Sequence, residues 1–289
     1  MRAAVNVLLT LVTAAALGGA AFTGTAHATP SKAELIAAAK KYEAPGVRGA
    51  NDWNCKPSPQ RPRPLVLVHG TVGIGWANWI YLSQALASQG YCVFALEYGH
   101  RPGNPFPGMA HIEQSAPQLA TFVDGVLAAT GTEKVDLVGH SQGGMMPRYY
   151  IRFLGGAAKV NDMVGIAPSN HGTWHGTWFP EIGFQICNAC IDQTPGSALL
   201  TKLNADREVE PGVDYTTIVT RYDEFVVPWQ GQQLSGPAHQ LTNVVLQDAC
   251  PSHFSEHALI VASDLTVQWV DHALTREGPA DPAFKPNCG

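Results

Sequence analysis

Charged residues are scarce in this sequence. They make up 14% of the 289 positions, and the 18 Lys and Arg residues are outnumbered by the 23 Asp and Glu residues, for a net charge of −5. Without a basic excess, the chain has no surface that would release counterions from phosphates, which argues against nucleic acid as a partner. A low net charge combined with 45% hydrophobic residues also argues against disorder. The composition therefore predicts a globular protein with enough apolar material for a sizeable core.

Long apolar runs are also missing, except at the N-terminus. There, Arg2 precedes an uncharged stretch from Val5 to Phe22, and Ala26-His27-Ala28 matches a signal for cleavage. The alternative is an uncleaved membrane anchor, because the run is almost long enough to span a bilayer. Its weak Ala, Gly and Thr hydrophobicity favours a signal peptide over residues 1–28. We therefore predict a secreted, extracellular protein whose residues 29–289 form a single domain, since this part has no repeat and no linker.

Cysteine is infrequent but even in number, and it occurs only after the predicted signal peptide, at Cys55, Cys92, Cys187, Cys190, Cys250 and Cys288. In an oxidising compartment this predicts three disulfides, whose connectivity the spacing alone leaves open. A zinc site at Cys187-x-x-Cys190 is disfavoured because the sequence has no second C-x-x-C motif. A redox-active pair is disfavoured as well, because we expect this motif in an irregular loop rather than at the start of a helix.

Short apolar runs alternate with amphipathic segments from position 65 onward. The runs are typical of strands buried on both faces, and they lie at 65–68, 92–96, 135–139, 163–167, 216–220 and 243–247. The sequence predicts helices over 31–42, 76–90, 112–129, 142–154 and 258–274. Strands that alternate with helices indicate an α/β fold with a mostly parallel central sheet and helices on both faces.

A G-x-S-x-G element, Gly139-His140-Ser141-Gln142-Gly143, follows the third predicted strand and precedes a helix. The pattern alone is weak evidence, but a nucleophile elbow requires this strand–turn–helix setting. The alternative is an ordinary Gly-Ser turn between a strand and a helix. Because the helix N-terminus also adds positive potential at the serine, we predict that Ser141 is a catalytic nucleophile.

A serine nucleophile needs a base that an acid orients, and in this architecture the acid and then the histidine follow the serine along the chain. The strand at 216–220 is followed by Asp223, which is the predicted acid, and by Glu224, which is the alternative. The last strand is followed by His253 and His257. We favour His257 as the base, because it is expected at the start of a helix above the edge of the sheet.

Backbone N–H groups after the first and third strands are expected to form an oxyanion hole. The predicted donors are Thr71, with its hydroxyl as a further candidate, and Gln142. A phosphate-binding loop is disfavoured, because the Gly-rich "VHGTVGIG" lacks a following Lys-Ser/Thr. His171 and His175 have the i, i+4 spacing of a metal pair, but no carboxylate accompanies them in the sequence. We predict no metal and no cofactor.

The sequence resembles the secreted actinobacterial lipases and esterases of the α/β-hydrolase superfamily. The motifs that carry the resemblance lie between positions 64 and 274 and are "LVLVHGT", "VDLVGHSQGG", "QTPGSALLTKLN", "TRYDEFVVP" and "SEHALIVASDL". The sequence is also similar, more loosely, to yeast lipase B and Bacillus lipase A. The resemblance implies the α/β-hydrolase fold, a triad of Ser141, Asp223 and His257, and oxyanion donors at Thr71 and Gln142.

The resemblance also implies the pairing of the cysteines. Cys55–Cys92 would tie the segment before the first strand to the second strand, and Cys250–Cys288 would hold the C-terminal tail near His257. Cys187–Cys190 then remains as a local loop.

Residues 169–200 depart from both relatives and form a candidate cap or lid. This segment carries many large apolar side chains, namely Trp174, Trp178, Phe179, Ile182, Phe184 and Ile186. One interpretation is a pocket for an acyl or alcohol group, or a rim that faces lipid. The other is simple packing on the sheet, since an aromatic loop often forms core in its own right.

The resemblance implies a secreted carboxylic-ester hydrolase, in the first place a lipase that acts on triacylglycerols or related lipid esters through an acyl-enzyme. A polyester hydrolase and a short-chain esterase are alternatives with the same catalytic groups. A secreted binding protein on a hydrolase scaffold is the alternative outside enzymes, since a fold alone does not establish function. The expected protein is a monomer whose substrate is a lipid or another small ester, with transient contact at a lipid interface.

Overall fold

A central sheet crosses the part of the chain that our computed structural model describes, residues 29–174 and 187–289. Within these ranges the sheet has six strands, β1 (Leu65–Val68), β2 (Val93–Leu96), β3 (Val135–His140), β4 (Val160–Ile166), β5 (Asp214–Val219) and β6 (Leu241–Val245). Their order is β2-β1-β3-β4-β5-β6, and every neighbouring pair is parallel. The prediction of a mostly parallel sheet is therefore confirmed.

Helices cover both faces of this sheet. They are α1 (Lys32–Ala39), α2 (Gly75–Asn78), α3 (Leu82–Ser88), α4 (Ile112–Thr130), α5 (Gln142–Phe153), α6 (Asn188–Asp192), α7 (Ala198–Asn204), α8 (Leu246–Ala249) and α9 (Asp264–Leu274). Successive strand residues point to opposite faces. Val66 and Val68 accordingly join the core beneath α4 and α5, while Leu65 and Leu67 join the core beneath α3 and α9.

Two predicted helices form with the ends that the sequence indicates. Ser31 caps α1, and a capping box with Glu34 is complete in both directions. Helix α4 ends at Gly131, which adopts the left-handed conformation with φ of 78°. Local sequence signals are sufficient at these positions because the groups that end each helix are near neighbours in the chain.

The single helix predicted over 76–90 is wrong, because the chain turns between α2 and α3. The turn contains Trp79, whose indole is fully buried, while the neighbouring Ile80 is 55% exposed. The break between α2 and α3 therefore coincides with the burial of Trp79 in the core beneath α3.

The helix predicted over 258–274 is also wrong in its first part. A 3-10 turn at Leu259–Ala262 comes first, and Ser263 then takes an extended conformation and caps α9 by accepting a hydrogen bond from the Leu265 N–H. The Ser-Asp pair at 263–264 is a local signal for this helix start. The apolar periodicity of residues 258–274 continues across it and so predicts a single helix.

The strand order reverses at β1, which pairs with β2 on one side and with β3 on the other. The connection after β1 leads to α3 on one face of the sheet, and the connection after β3 leads to α5 on the other face. In open parallel sheets, a crevice forms where two such connections diverge, outside the carboxyl ends of the strands. By this rule, the crevice is expected between the loop after Val68 and the turn after His140.

A cluster of buried charged groups lies near the amino ends of the strands, away from their carboxyl ends. The guanidinium of Arg63 donates to Asp136 Oδ1 at 2.7 Å and to Asp162 Oδ2 at 3.3 Å. Burial raises the pKa of both carboxyl groups. Because Asp136 and Asp162 lie near the amino ends of β3 and β4, Arg63 compensates buried charge far from the crevice, and the role of this cluster is structural.

The three expected disulfides are confirmed. Cys55–Cys92, Cys187–Cys190 and Cys250–Cys288 are bonded, with Cα–Cα distances of 5.7, 5.3 and 5.5 Å. The expectation of an irregular loop around the C-x-x-C motif is wrong. Cys187 is the N-cap of α6, and its sulfur accepts from the Cys190 N–H at 3.1 Å, because the short disulfide loop bends the chain into the first turn of a helix.

The N-terminal prediction falls outside the described residues. Residues 1–28, the predicted signal peptide, are not among them. Residues Ser31–Gly289 form one compact unit. Of the helices in the described ranges, not one combines the length and the hydropathy that a bilayer crossing requires.

We expect the double variant Cys55→Ser, Cys92→Ser to lose about 2–4 kcal/mol of unfolding free energy, because this disulfide closes a loop across 37 positions. The matched control is Cys187→Ser, Cys190→Ser, whose loop spans 3 positions and should therefore cost less. Urea unfolding followed by tryptophan fluorescence measures both losses. Equal losses in the two variants would contradict this explanation.

Candidate active site

Ser141 connects β3 to α5 in a backbone conformation that side chains rarely adopt. Its φ is 57° and its ψ is −125°, a region in which a non-glycine residue persists only when its surroundings hold it. A Cβ on Gly143 would lie 2.0 Å from the Val68 carbonyl oxygen, and one on Gly139 would lie 1.7 Å from the Gly143 carbonyl oxygen. Both glycines are therefore required for α5 to approach the strands, and this approach enforces the sharp turn at Ser141.

This turn leaves the Ser141 hydroxyl outside the hydrogen bonding of the helix. Ser141 occupies the N-cap position of α5, yet its side chain does not cap the helix. Its backbone is held on both sides, because its N–H donates to the Ile166 carbonyl at 2.9 Å and its carbonyl accepts from Gly144 at 2.9 Å. The helix N-terminus supplies positive potential, which favours negative charge that develops beside Ser141.

Asp223 and His257, 34 positions apart, form a buried hydrogen-bonded pair. The imidazole Nδ1 of His257 lies 2.7 Å from Asp223 Oδ2, and the two side chains are 10% and 0% exposed. The loop after β5 carries Asp223, and the segment after α8 carries His257. Both follow carboxyl ends of strands, which is why the two side chains meet at one edge of the sheet.

The Asp223 carboxylate is fixed by further donors. Its Oδ1 accepts from the backbone N–H groups of Phe225 at 2.9 Å and Val226 at 2.7 Å. Its Oδ2 accepts from the Gln232 side-chain amide at 2.9 Å. A carboxylate that accepts this many hydrogen bonds is held in one orientation.

The alternative acid, Glu224, and the alternative base, His253, make other contacts. Glu224 is exposed, and its Oε2 accepts from the backbone N–H of His257 at 3.3 Å. His253 Nε2 lies 2.6 Å from the Ser255 hydroxyl. The pair with the geometry of an acid and a base is therefore Asp223 and His257.

His140, directly before Ser141, makes contacts that the sequence did not reveal. Its Nε2 lies 2.9 Å from the His257 carbonyl oxygen, to which it donates because a carbonyl only accepts. Burial and the nearby His257 lower the pKa of His140 to about 3, so its ring is neutral at pH 7. Its Nδ1 lies 3.1 Å from the side-chain amide of Asn78. His140 thus supports the loop that carries His257, at a position that the G-x-S-x-G pattern leaves variable.

The loop after β1 brings Thr71 beside the serine turn. A Cβ on Gly70 would lie 2.9 Å from the Ser141 Cβ, so only glycine allows the two loops to approach this closely. Thr71 Oγ1 donates to Gln142 Oε1 at 2.6 Å. The two residues predicted to donate in an oxyanion hole are therefore joined by their side chains, and the Thr71 hydroxyl is engaged with Gln142.

His69 and Tyr98 support the start of this loop. Their rings stack at 4.4 Å, and the Tyr98 hydroxyl donates to the His69 carbonyl oxygen at 2.7 Å. Burial lowers the pKa of His69 to about 4. His69 is therefore a neutral packing and hydrogen-bonding group at pH 7.

His171 has a carboxylate partner, which corrects the interpretation from the sequence. Its Nε2 lies 2.7 Å from Glu208 Oε1 and its Nδ1 lies 2.8 Å from the Gly231 carbonyl oxygen. The hydrogen bond that His171 donates to Glu208 raises the pKa of His171. His175 lies outside the described residues. Within residues 29–174 and 187–289, the His, Cys, Asp and Glu side chains form no group of three or more that could hold a metal ion.

Only the two ends of the predicted cap or lid, residues 169–200, belong to the described residues. Trp174 is described and is 55% exposed. The other large apolar residues that the sequence singled out there lie outside the described residues, namely Trp178, Phe179, Ile182, Phe184 and Ile186. The role of these side chains therefore stays a prediction.

The fold is similar to those of known lipases. The crystal structure of Aspergillus fumigatus lipase B has a TM-score of 0.67 and 20% identity over 92% of this chain and 64% of that one. The mature form of Bacillus licheniformis lipase BlEst2 has a TM-score of 0.60 and 14% identity over 81% of this chain and 98% of that one. At such low identities the likeness establishes the fold alone, and it confirms the predicted α/β-hydrolase fold.

Sequence comparison gives a partial relative and a family. The triacylglycerol lipase of Pseudarthrobacter phenanthrenivorans is 37% identical over 91 residues, which are 30% of this chain and 27% of that protein. The match therefore spans about a quarter of the curated relative. The family model described as Lipase (class 2) matches residues 62–270, more than half of the chain, including Ser141, Asp223 and His257. The chain belongs to the class 2 lipase family.

Proposed function

We propose that this protein hydrolyses carboxylic esters through a catalytic triad of Ser141, His257 and Asp223. The observation that carries the proposal is the hydrogen bond from His257 to the buried Asp223, at the same edge of the sheet as the strained turn at Ser141. A serine in an ordinary turn requires neither this backbone conformation nor a buried acid–base pair beside it. Membership of the class 2 lipase family supports the same reaction.

In the proposed reaction, Ser141 Oγ attacks the ester carbonyl carbon while His257 Nε2 takes the hydroxyl proton. Nε2 carries the lone pair because Nδ1–H donates to Asp223. The tetrahedral oxyanion is stabilised by the backbone N–H groups of Thr71 and Gln142. The alcohol leaves with the proton from His257. A water molecule, deprotonated by the same imidazole, then attacks the acyl-enzyme, and His257 returns this proton to Ser141 Oγ as the acid is released.

The proposed substrates are triacylglycerols or related lipid esters. The family and the relative named a triacylglycerol lipase both support this choice. A short-chain esterase or a polyester hydrolase would use the same triad and differ in chain-length preference. Secretion is part of the proposal, and three disulfides support it because such bonds persist in oxidising compartments.

We also propose that the molecule contacts lipid interfaces transiently through the edge of the sheet that carries the triad. Exposed apolar side chains concentrate in the segments after β1, β5 and β6. Their exposed fractions range from 38% to 71%, and they are Val72, Ile74, Trp76, Ile80, Tyr222, Phe225, Phe254 and Leu259. We call this set the apolar rim. Within this set the rings of Tyr222 and Phe254 are in contact, with their centroids 5.1 Å apart. Exposed apolar side chains that share one surface mark an interaction site more often than a solvated face.

Ser141→Ala should abolish hydrolysis of p-nitrophenyl esters from acetate to palmitate, because the attacking oxygen is removed, and should leave the melting temperature nearly unchanged. The chain-length profile of the wild type then separates a lipase from a short-chain esterase. A fluorescent phosphonate that reacts with activated serines is the second readout, and it should label the wild type but not the variant. Failure of the folded wild type to be labelled would favour a binding protein on a hydrolase scaffold.

Asp223→Asn should lower kcat by about 10⁴-fold with little change in KM, because the neutral amide no longer holds the Nδ1–H form of His257 or stabilises its charge. Glu224→Gln is the matched control. Since Glu224 accepts from the backbone N–H of His257 while Asp223 bonds its ring, its loss should cost less than about tenfold in kcat. If Glu224→Gln were the more damaging change, the assignment of the acid would be wrong.

The double variant Ile80→Ser, Phe254→Ser should hydrolyse emulsified triolein about tenfold more slowly and soluble p-nitrophenyl acetate at the wild-type rate. Burying one such apolar side chain contributes about 1.5–3 kcal/mol, so partial loss at the interface accounts for this factor. Leu154→Ser is the control, since Leu154 is 38% exposed but lies at the far end of α5. Equal losses on both substrates would assign these side chains to the catalytic step and not to lipid contact.

A further inference from the structure

Gln193 lies directly after α6 and is buried, with 5% of its surface exposed. Its amide nitrogen lies 2.9 Å from Thr71 Oγ1 and 3.2 Å from Gln142 Oε1. Its amide oxygen accepts from the Ser169 hydroxyl at 2.7 Å. One side chain therefore contacts both residues of the proposed oxyanion hole, although it is 122 positions from one and 51 from the other.

The chemistry of the groups determines the direction of these hydrogen bonds. An amide NH₂ only donates, so Thr71 Oγ1 accepts from Gln193 and directs its own single proton to Gln142 Oε1, 2.6 Å away. Gln142 Oε1 accepts from both partners. The three side chains form a closed ring of contacts, and the Gln193 amide nitrogen also lies 3.1 Å from the Ala189 carbonyl oxygen. From Gln193 through the Thr71 hydroxyl to Gln142 Oε1, donors and acceptors follow one another, so the first bond polarises and strengthens the second.

Without this ring, the loop after β1 that carries Thr71 would relax, because its backbone is strained. Val72, the residue after Thr71, has a φ of 58°, which is an outlier for a β-branched residue and persists only where surrounding contacts enforce it. Relaxation of Val72 would shift the Thr71–Val72 peptide and with it the backbone of Thr71, whose own N–H lies in the preceding peptide. Two N–H groups stabilise an oxyanion only when both point at the same oxygen atom, so small rotations are costly.

Gln193 is itself held on several sides. Its N–H donates to the Ala189 carbonyl at 3.0 Å, and the Ala189 N–H donates to the Met109 carbonyl at 3.2 Å. The adjacent Asp192 carboxylate accepts from the Ile112 N–H at 2.7 Å, at the first residue of α4. These contacts give Gln193 a fixed position relative to the core of the sheet.

We propose that Gln193 is a positioning residue that aligns the backbone N–H groups of Thr71 and Gln142 for the oxyanion. The inference rests on the proposed ester hydrolysis and goes beyond it, because it assigns a function in transition-state stabilisation to the segment between Cys187 and α7. Gln193 does not touch the substrate in this assignment. It acts through the hydroxyl of Thr71 and the amide of Gln142.

Gln193→Leu keeps the volume of the side chain and removes its hydrogen bonds. We expect kcat on p-nitrophenyl butyrate to fall about ten- to a hundredfold, less than or comparable to the loss of one oxyanion donor. KM and the pH dependence of kcat/KM should stay near their wild-type values, since ester binding and the Asp223–His257 pair are unaffected. The inhibition constant of a boronic acid, which forms a tetrahedral adduct on Ser141, should rise by the same factor as kcat falls.

The matched control is Gln240→Leu. Gln240 is a buried glutamine, 8% exposed, whose amide donates to the Val213 carbonyl at 2.8 Å, at the start of β5. Its replacement should lower the melting temperature and leave kcat and the inhibition constant unchanged. A merely structural role for Gln193 would give this same result, and an unchanged kcat in folded Gln193→Leu would overturn the inference.

A second variant and a double-mutant cycle keep the inference testable if Gln193→Leu does not fold. Gln193→Glu still accepts from Ser169 but cannot donate to Thr71, so it should not restore kcat. In a double-mutant cycle of Gln193→Glu with Thr71→Val, the two losses of kcat should be strongly non-additive, because Gln193 acts through the Thr71 hydroxyl. Additive losses, or full activity in Gln193→Glu, would refute it. A wild type that neither hydrolyses esters nor reacts with the phosphonate would refute the proposed function as well. An active wild type whose kcat is unchanged by the Gln193 substitutions would refute this inference alone.

Discussion

The site depends on the close contact between the first turn of α5 and the ends of β1 and β3. Gly143 packs against the Val68 carbonyl oxygen so tightly that no side chain could be accommodated there. This contact holds Ser141 at a φ of 57°, and without it the turn would relax to a more favourable conformation. It also sets the distance between the two loops, so that Thr71 reaches the Gln142 side chain. The proposed nucleophile and the proposed oxyanion donors therefore follow from a single packing constraint.

Burial separates three histidines near this contact into different roles. His69 and His140 are buried with low pKa values, about 4 and about 3, and are therefore fixed neutral groups at pH 7. His257 is the one of the three that pairs with a buried carboxylate, Asp223. A base that can accept a proton during a reaction needs such a partner to stabilise the resulting charge. The neutral His140 supports the loop that carries His257, because it donates a hydrogen bond to the His257 carbonyl oxygen.

Local sequence signals predicted much of the fold and part of the site. All six strands form, and the capped ends of α1 and α4 are as expected, because each depends on residues within a few positions of one another. The last three strands begin two or three residues before the predicted positions, and the predicted end of the last strand, residues 246–247, belongs to α8. The serine turn is local in the same sense, since Gly139 and Gly143 flank it. The predictions over 76–90 and 258–274 are wrong in their details, because apolar periodicity continues across breaks that tertiary burial of Trp79 and capping by Ser263 introduce. His140 and Gln193 were missed because nothing in the adjacent sequence marks their distant partners.

By itself, the sequence determined that an α/β sheet forms and that a strand–serine–helix turn lies within it, because apolar period and glycine spacing act over short distances. It also limited the acid and the base to the residues that follow the last strands. Only the tertiary structure decided that Asp223, and not Glu224, bonds the His257 ring, and that Gln193 joins Thr71 to Gln142. These contacts link positions 34 to 122 residues apart. Their formation depends on strand order and on the path of each loop, and neither can be read from neighbouring residues.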